Sequence, residues 1–142
     1  MSNREVVERY CAALPNDQET LRALRHPDFV EEWPQSGERV RGHERMAQID
    51  ANYPGGMPTA DVQRVVGSED RWVVTPSFTL LRVAGTGDVY TAIARANYAD
   101  GPLWYIALLI ELRDGKVAKA TTLFAPRLEP PAWRAEWVER MS

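Results

Sequence analysis

Cysteine is nearly missing from this sequence: Cys11 is the only one. An intrachain disulfide is therefore impossible, and a cysteine-based metal site is all but excluded. Lysine is almost as scarce, with Lys116 and Lys119 standing in an otherwise all-arginine set of cations. Nor is there any surplus of positive charge, since the formal net charge is −3. Without a basic stripe to neutralise phosphates, nucleic acid is not an expected partner. Long apolar runs are lacking as well. The longest, LWYIALLI, has eight residues, far short of the roughly 20 that a membrane helix needs. The opening MSNREVVERY carries no apolar signal region, so a cytoplasmic protein that does not enter the membrane is expected. A phosphate loop, a dinucleotide fingerprint and internal repeats are all missing, and no cofactor is expected.

What remains is a chain of 142 residues, 44% of them hydrophobic, enough for one domain spanning residues 1–142 with a single core. The first helix is signalled by a capping box, Ser2 with Glu5, and by a buried stripe of Val6, Val7, Tyr10, Cys11 and Leu14. A second short helix starts near Asn16 or Asp17, with Glu19 as the possible box partner, and ends before Pro27. DFVEEW is a short strand broken at Pro34, and ERVR a second extended piece. Gly42 to Tyr53 reads as a third helix, with Met46, Ile49 and Tyr53 at helical spacing.

From residue 61 onward the pattern turns to strands: DVQRVVG, then one long RWVVTPSFTLLRV with Pro76 marking an edge or bulge, an AGTG hairpin loop, and DVYTAIARANY. Asp100-Gly101 and Asp114-Gly115 are hairpin turns on either side of PLWYIALLIELR. KVAKATTLFA is the last strand. Pro130 and Pro131 open a C-terminal helix with Trp133 and Trp137 on a docking stripe. Three helices, a meander of long strands and a cap helix make an α+β layout with helices on one face of a curled, mostly antiparallel sheet. Such a sheet leaves a conical hollow where a small apolar molecule fits. The unbroken apolar run on LWYIALLIEL implies that both faces of that strand are covered. The simplest cover for the second face is another copy, so a homodimer packed sheet to sheet is expected.

VVERYCAAL, the short second helix, RHPDFVEEWP and a long-stranded meander ending in LRDGKV together resemble the nuclear-transport-factor-2-like (NTF2-like) superfamily, and within it the SnoaL-like group. The resemblance covers nearly the whole chain. It implies a cone-shaped α+β domain with a pocket between sheet and helices, and usually a dimer. The fold carries isomerases, cyclases, epoxide hydrolases, dehydratases and plain binding proteins, so it names no single activity. The opening also resembles ketosteroid isomerase. That likeness puts Tyr10 at the family's helix tyrosine and Glu32, less surely Trp33, at its base position. The family's second oxyanion acid is expected near YIALLI, where this chain has no acid; the nearest is Glu111.

Glu31 and Glu32 face opposite ways on a strand. Glu32 is expected inward on the face of Val30, with Trp33 opposite, acting as a general acid or base; otherwise it is solvated or pairs with Arg39 or Arg41. Tyr10 is either a satisfied core tyrosine or a donor to an oxyanion. Glu111 is either a second pocket acid or a residue of the dimer face, which it shares with Tyr105, Ala107 and Leu109. Trp33 and Gln35 are expected at the rim, and Tyr98, Trp104, Tyr105 and Phe124 as apolar walls, with cross-strand aromatic packing as the alternative for the strand aromatics. His26 and His43 have no spacing that joins them to carboxylates, so neither a metal site nor a serine–histidine triad is expected. His43 reads as a solvated residue of a first helical turn. Cofactor-free isomerisation, aldol-type cyclisation or dehydration is the activity expected, with a non-catalytic ligand-binding or dimer-scaffold protein as its rival.

Overall fold

The computed structural model describes residues 1–58, 60–67, 71–74, 79–83, 87–97, 101 and 103–141. Helix α1 (Asn3–Ala13) is capped at its N-terminus by the reciprocal Ser2–Glu5 pair, a device worth about 1 kcal/mol. It buries Val6, Val7, Tyr10, Cys11 and Ala13. Helix α2 (Gln18–Leu24) starts at Asp17, whose carboxylate accepts from the backbone N–H and the hydroxyl of Thr20, so Thr20 rather than Glu19 answers the cap. Strand β1 (Arg25–Trp33) follows directly, then β2 (Glu38–Arg41) and helix α3 (His43–Ala51). Next come β3 (Ala60–Gly67), β4 (Arg71–Val74), β5 (Thr79–Val83), β6 (Val89–Asn97), β7 (Leu103–Arg113) and β8 (Lys116–Pro126). Among the described residues no helix is long and apolar enough to cross a membrane.

Six strands form one curved, unclosed sheet in the order β2-β1-β8-β7-β6-β3. All neighbours are antiparallel except β1 and β8, which run parallel. The expected meander thus ends by returning its last strand to lie beside the first. Asp114 and Gly115, at φ 55° and 72°, make the β7–β8 turn with the paired positive angles that Asp-Gly supplies at low cost. Adjacent β6 and β7, with Asn97 opposite Leu103, agree with the turn expected at Asp100-Gly101; Asp100 lies outside the described residues.

The sheet corrects the sequence reading in three places. RWVVTPSFTLLRV is not one long strand: β4 and β5 pair antiparallel with each other, Val74 opposite Thr79, and Pro76 lies outside the described residues. β6 pairs with β3 and β7 rather than with β5, so β5 and β6 do not form the expected hairpin; Ala84, Gly85 and Thr86 of AGTG lie outside the described residues. The C-terminal α-helix is a 3-10 helix, Ala132–Trp137, and both of its tryptophans are exposed rather than docked. Two 3-10 turns eclipse every third side chain and build no i, i+4 stripe.

The helices cover the concave face. Tyr10, Tyr90, Phe29, Leu21, Ile110, Val7 and Val117 are the largest fully buried side chains of the core. Inward positions of β6 beyond Tyr90 are all alanine: Ala92, Ala94 and Ala96. Three methyl groups cannot fill the space under the helices, and a hollow remains over that part of the sheet.

Candidate functional site

Between the sheet and the helices lies a cavity of about 140 Å³. Its apolar walls include Leu14, Met46, Ile49, Val62, Ala94, Ala96, Ile106, Leu108 and Phe124, and its polar groups come from Tyr10, Arg25, Glu31, Trp33, Asp50 and Thr122.

The parity of β1 decides which glutamate faces inward. Phe29, almost wholly buried, and Trp33, packed on the core, share one face of the strand. Glu31 sits between them and is carried inside with them; only 7% of it is exposed. The Thr122 hydroxyl, from neighbouring β8, donates to Glu31 Oε1 at 2.7 Å, and the Trp33 indole N–H donates to the same oxygen at 3.2 Å. The other oxygen, Oε2, is buried without a hydrogen-bond partner. Burial pushes the Glu31 carboxyl up to about 7, against the pull of the Thr122 and Trp33 donors and the Arg25 charge.

Arg25 stands at the junction of α2 and β1, 4% exposed. Its guanidinium donates from Nη2 to the Tyr10 hydroxyl at 3.2 Å and meets His43 Nδ1 through Nη1 at 3.0 Å. It also lies 4.4 Å from the centre of the Phe29 ring and 5.5 Å from that of Tyr10. Since arginine only donates, His43 Nδ1 is the acceptor and its proton is on Nε2. Burial and the Arg25 charge hold the imidazole below its ordinary pKa range, hence neutral. Burial keeps the Tyr10 hydroxyl well above the usual phenol range. That hydroxyl accepts from Arg25, which leaves its own proton to be donated. Asp50, from α3, is raised by burial and accepts from Gln18 Nε2 at 3.0 Å.

Three sequence-derived candidates, Tyr10, Trp33 and Phe124, line this cavity. Gln35 does not reach it; the side chain exchanges two hydrogen bonds with the Phe124 backbone and fixes the end of β1 to β8. Glu32 is corrected to the outer face, where Arg39 binds it at 2.7 Å and Lys119 at 2.7 Å. Those two cations, Lys119 foremost, hold its carboxyl below the usual range. The expectation had followed Val30, but two aromatic side chains outweigh one valine in setting which face of a strand is buried. Glu111 also faces outward, half exposed and 4.0 Å from Lys119, and Tyr105 shares its side of β7. Trp104 is not among the described lining residues. Tyr98 lies outside the described residues. Arg25, Glu31, Asp50 and Thr122 escaped the sequence reading. For Glu31 alone a signal existed, the alternation Phe29, Glu31, Trp33. Among the described residues no group of three or more histidine, cysteine or acidic side chains is placed to hold a metal ion.

No family model matches the sequence, and no curated protein matches it. Solved structures do. An NTF2-like protein of unknown function from Burkholderia xenovorans LB400 is 25% identical with a TM-score of 0.71, over 99% of this chain and 95% of its own. A protein from Kribbella flavida, provisionally described as a ketosteroid isomerase, is 23% identical with a TM-score of 0.73, over 99% and 90%. An epoxide hydrolase from M. tuberculosis is 19% identical with a TM-score of 0.59, over 87% and 82%. With its helix-covered curved sheet and a cavity between the two layers, the chain has the NTF2-like fold, which it shares with solved structures described as NTF2-like, ketosteroid isomerase and SnoaL-like proteins.

Proposed function

We propose that this protein is a cofactor-free acid–base enzyme acting on a small, largely apolar carbonyl compound, with Glu31 as the proton-transfer group. The observation that carries the reading is a buried carboxyl in an apolar cavity, one oxygen held by Thr122 and Trp33 and the other unpartnered. A general base poised near neutral pH is most effective when its pKa lies close to the working pH. In the proposed step, Glu31 Oε2 takes a proton from the carbon beside the carbonyl. The bonding pair moves onto the carbonyl oxygen. The Tyr10 O–H, backed by the Arg25 cation, donates to that developing negative charge. Return of the proton to a different carbon isomerises the substrate; attack of the carbanion on a second carbonyl closes a ring; loss of a hydroxyl dehydrates it. The isomerase-like and epoxide hydrolase neighbours support pocket chemistry of this general kind without choosing a reaction.

The test needs no natural substrate. Cyclohexenone incubated with the protein in D₂O should exchange its acidic C–H hydrogens at a rate that saturates with ketone and rises as pH passes about 7, read by NMR. Exchange no faster than in buffer leaves a ligand-binding protein with the same cavity. Glu32→Gln serves as the outward-facing control and should exchange at the wild-type rate; a loss there equal to that of a Glu31 variant would return the assignment to Glu32.

The homodimer belongs to the same proposal. On β7 the inward side chains Ile106, Leu108 and Ile110 are buried, while Leu109, and Leu123 on β8, are each 40% exposed on the outer face. An apolar strip on that face is what a second copy would cover. Light scattering at micromolar concentration should give twice the chain mass of 16.1 kDa; a value near one chain mass would end the dimer reading.

A further inference from the structure

Arg25 is the most deeply buried charged side chain among the described residues, at 4% exposure. An arginine cannot shed its proton inside a protein, so this positive charge is permanent. Among the described residues no carboxylate lies within ion-pairing distance of it. Its two charge-bearing contacts go instead to neutral groups, the Tyr10 hydroxyl and the unprotonated nitrogen of His43. The third donor, Nε, is buried and has no partner. A buried cation with neutral partners and an unused N–H is costly unless something negative approaches it. The two acids on the cavity wall are poor candidates. Glu31 and Asp50 make their hydrogen bonds elsewhere, Glu31 with Thr122 and Trp33 and Asp50 with Gln18.

The site is also pre-shaped. Phe29 and Tyr10 hold the flat guanidinium against their rings, and His43 and Tyr10 fix its two terminal nitrogens. Three neighbours fixing one side chain leave little orientational freedom to lose on binding. Arg25 belongs to the wall of a cavity of about 140 Å³ that is otherwise mostly apolar. An apolar cavity of about 150 Å³ is large enough for one benzene ring.

We propose that the ligand of this cavity is a compact monocarboxylate, one ring or a branched alkyl group in size, whose carboxylate docks on Arg25 through its unpartnered Nε while its apolar part fills the space above Ala94 and Ala96. This rests on the cavity proposed above as the reaction site and narrows its substrate to a carbonyl compound carrying that one anionic group. Arg25 supplies ground-state binding, and Glu31 remains the proton-transfer group.

Calorimetry with benzoate, cyclohexanecarboxylate and neutral benzamide at about pH 6 tests it, on the wild-type protein and on Arg25→Lys and Glu31→Gln. Both carboxylates should bind wild type at least about tenfold more tightly than benzamide, the worth of one charge-assisted hydrogen bond. Arg25→Lys keeps the charge but loses the fixed donor edge; it should erase most of that preference. Glu31→Gln should retain it. The wild-type comparison needs no variant, so it decides the matter even if Arg25→Lys fails to fold. Benzamide binding as tightly as benzoate, no binding of either carboxylate, or an undiminished preference in a folded Arg25→Lys protein would each overturn the proposal. Ketone exchange without carboxylate binding removes this inference alone. Carboxylate binding without exchange removes the acid–base reading alone.

Discussion

Glu31→Gln is expected to lower the rate of ketone hydrogen exchange by at least about a hundredfold, the lower end of what one positioned acid–base group contributes. The substitution is close to isosteric. The glutamine Oε1 can still accept from Thr122 and Trp33, which both meet Oε1 of the native carboxylate, so the wall of the cavity keeps its shape. What disappears is the oxygen that has no partner in the native protein, Oε2, as a proton acceptor. A folded Glu31→Gln protein that exchanges at the wild-type rate would remove Glu31 from the chemistry. Loss of the titrating carboxyl predicts, in addition, that residual exchange in the variant no longer follows pH through about 7.

The second large effect is on stability, and its sign follows from the direction of the Glu31 shift. Its folded carboxyl lies near 7, against 4.5 for an ordinary glutamate. Below about pH 4.5 both the folded and the unfolded chain hold the proton, and Glu31 adds no pH dependence. Between 4.5 and 7 the folded protein binds the proton and the unfolded chain has lost it, so stability falls as pH rises. Above 7 the full cost of a buried charge is present. At about 1.4 kcal/mol per pKa unit this amounts to about 3 kcal/mol. Urea unfolding of wild type and Glu31→Gln should therefore show a stability gap in favour of the variant that widens by about that amount from pH 4.5 to pH 8. Carboxylates held low, such as Asp17 and Glu32, act in the opposite sense as pH falls, but they are common to both proteins and cancel in the difference. A gap that stays constant with pH would show that the Glu31 carboxyl is not buried as charge.

Both effects depend on a glutamate one position away from the one the sequence favoured. On the β1 strand, a slip of one residue exchanges the faces completely. The segment FVEEW contains apolar side chains of both parities, Phe29 and Trp33 on one side and Val30 on the other. Weighing Phe29 against Val30 was enough to find the right face. The outer pair partners of Glu32 were partly legible, because Arg39 stands seven residues away across an obvious turn. Lys119 was not, since only the parallel return of β8 beside β1 brings it there.

The local signals did carry a good part of the fold: the Ser2–Glu5 box, the stops at prolines, the Asp114-Gly115 hairpin and the alternation of later strands all reflect interactions over a few residues. They pointed to an α+β cone and, among the candidate site residues, to Tyr10, Trp33 and Phe124, which line the cavity. Arg25 was beyond their reach. At the end of a short amphipathic helix an arginine reads as solvated, and nothing nearby in the chain says that Tyr10, Phe29 and His43 will close around it. The sequence by itself determined the α+β class, the buried stripe of the first helix and the run of later strands, because capping, spacing and turn chemistry act over a few residues. Only the tertiary structure decided which glutamate enters that cavity and that a cation is sealed into its wall, because both depend on strands and helices far apart in the chain meeting at one place, and the free energy of a buried charge is fixed by everything that surrounds it.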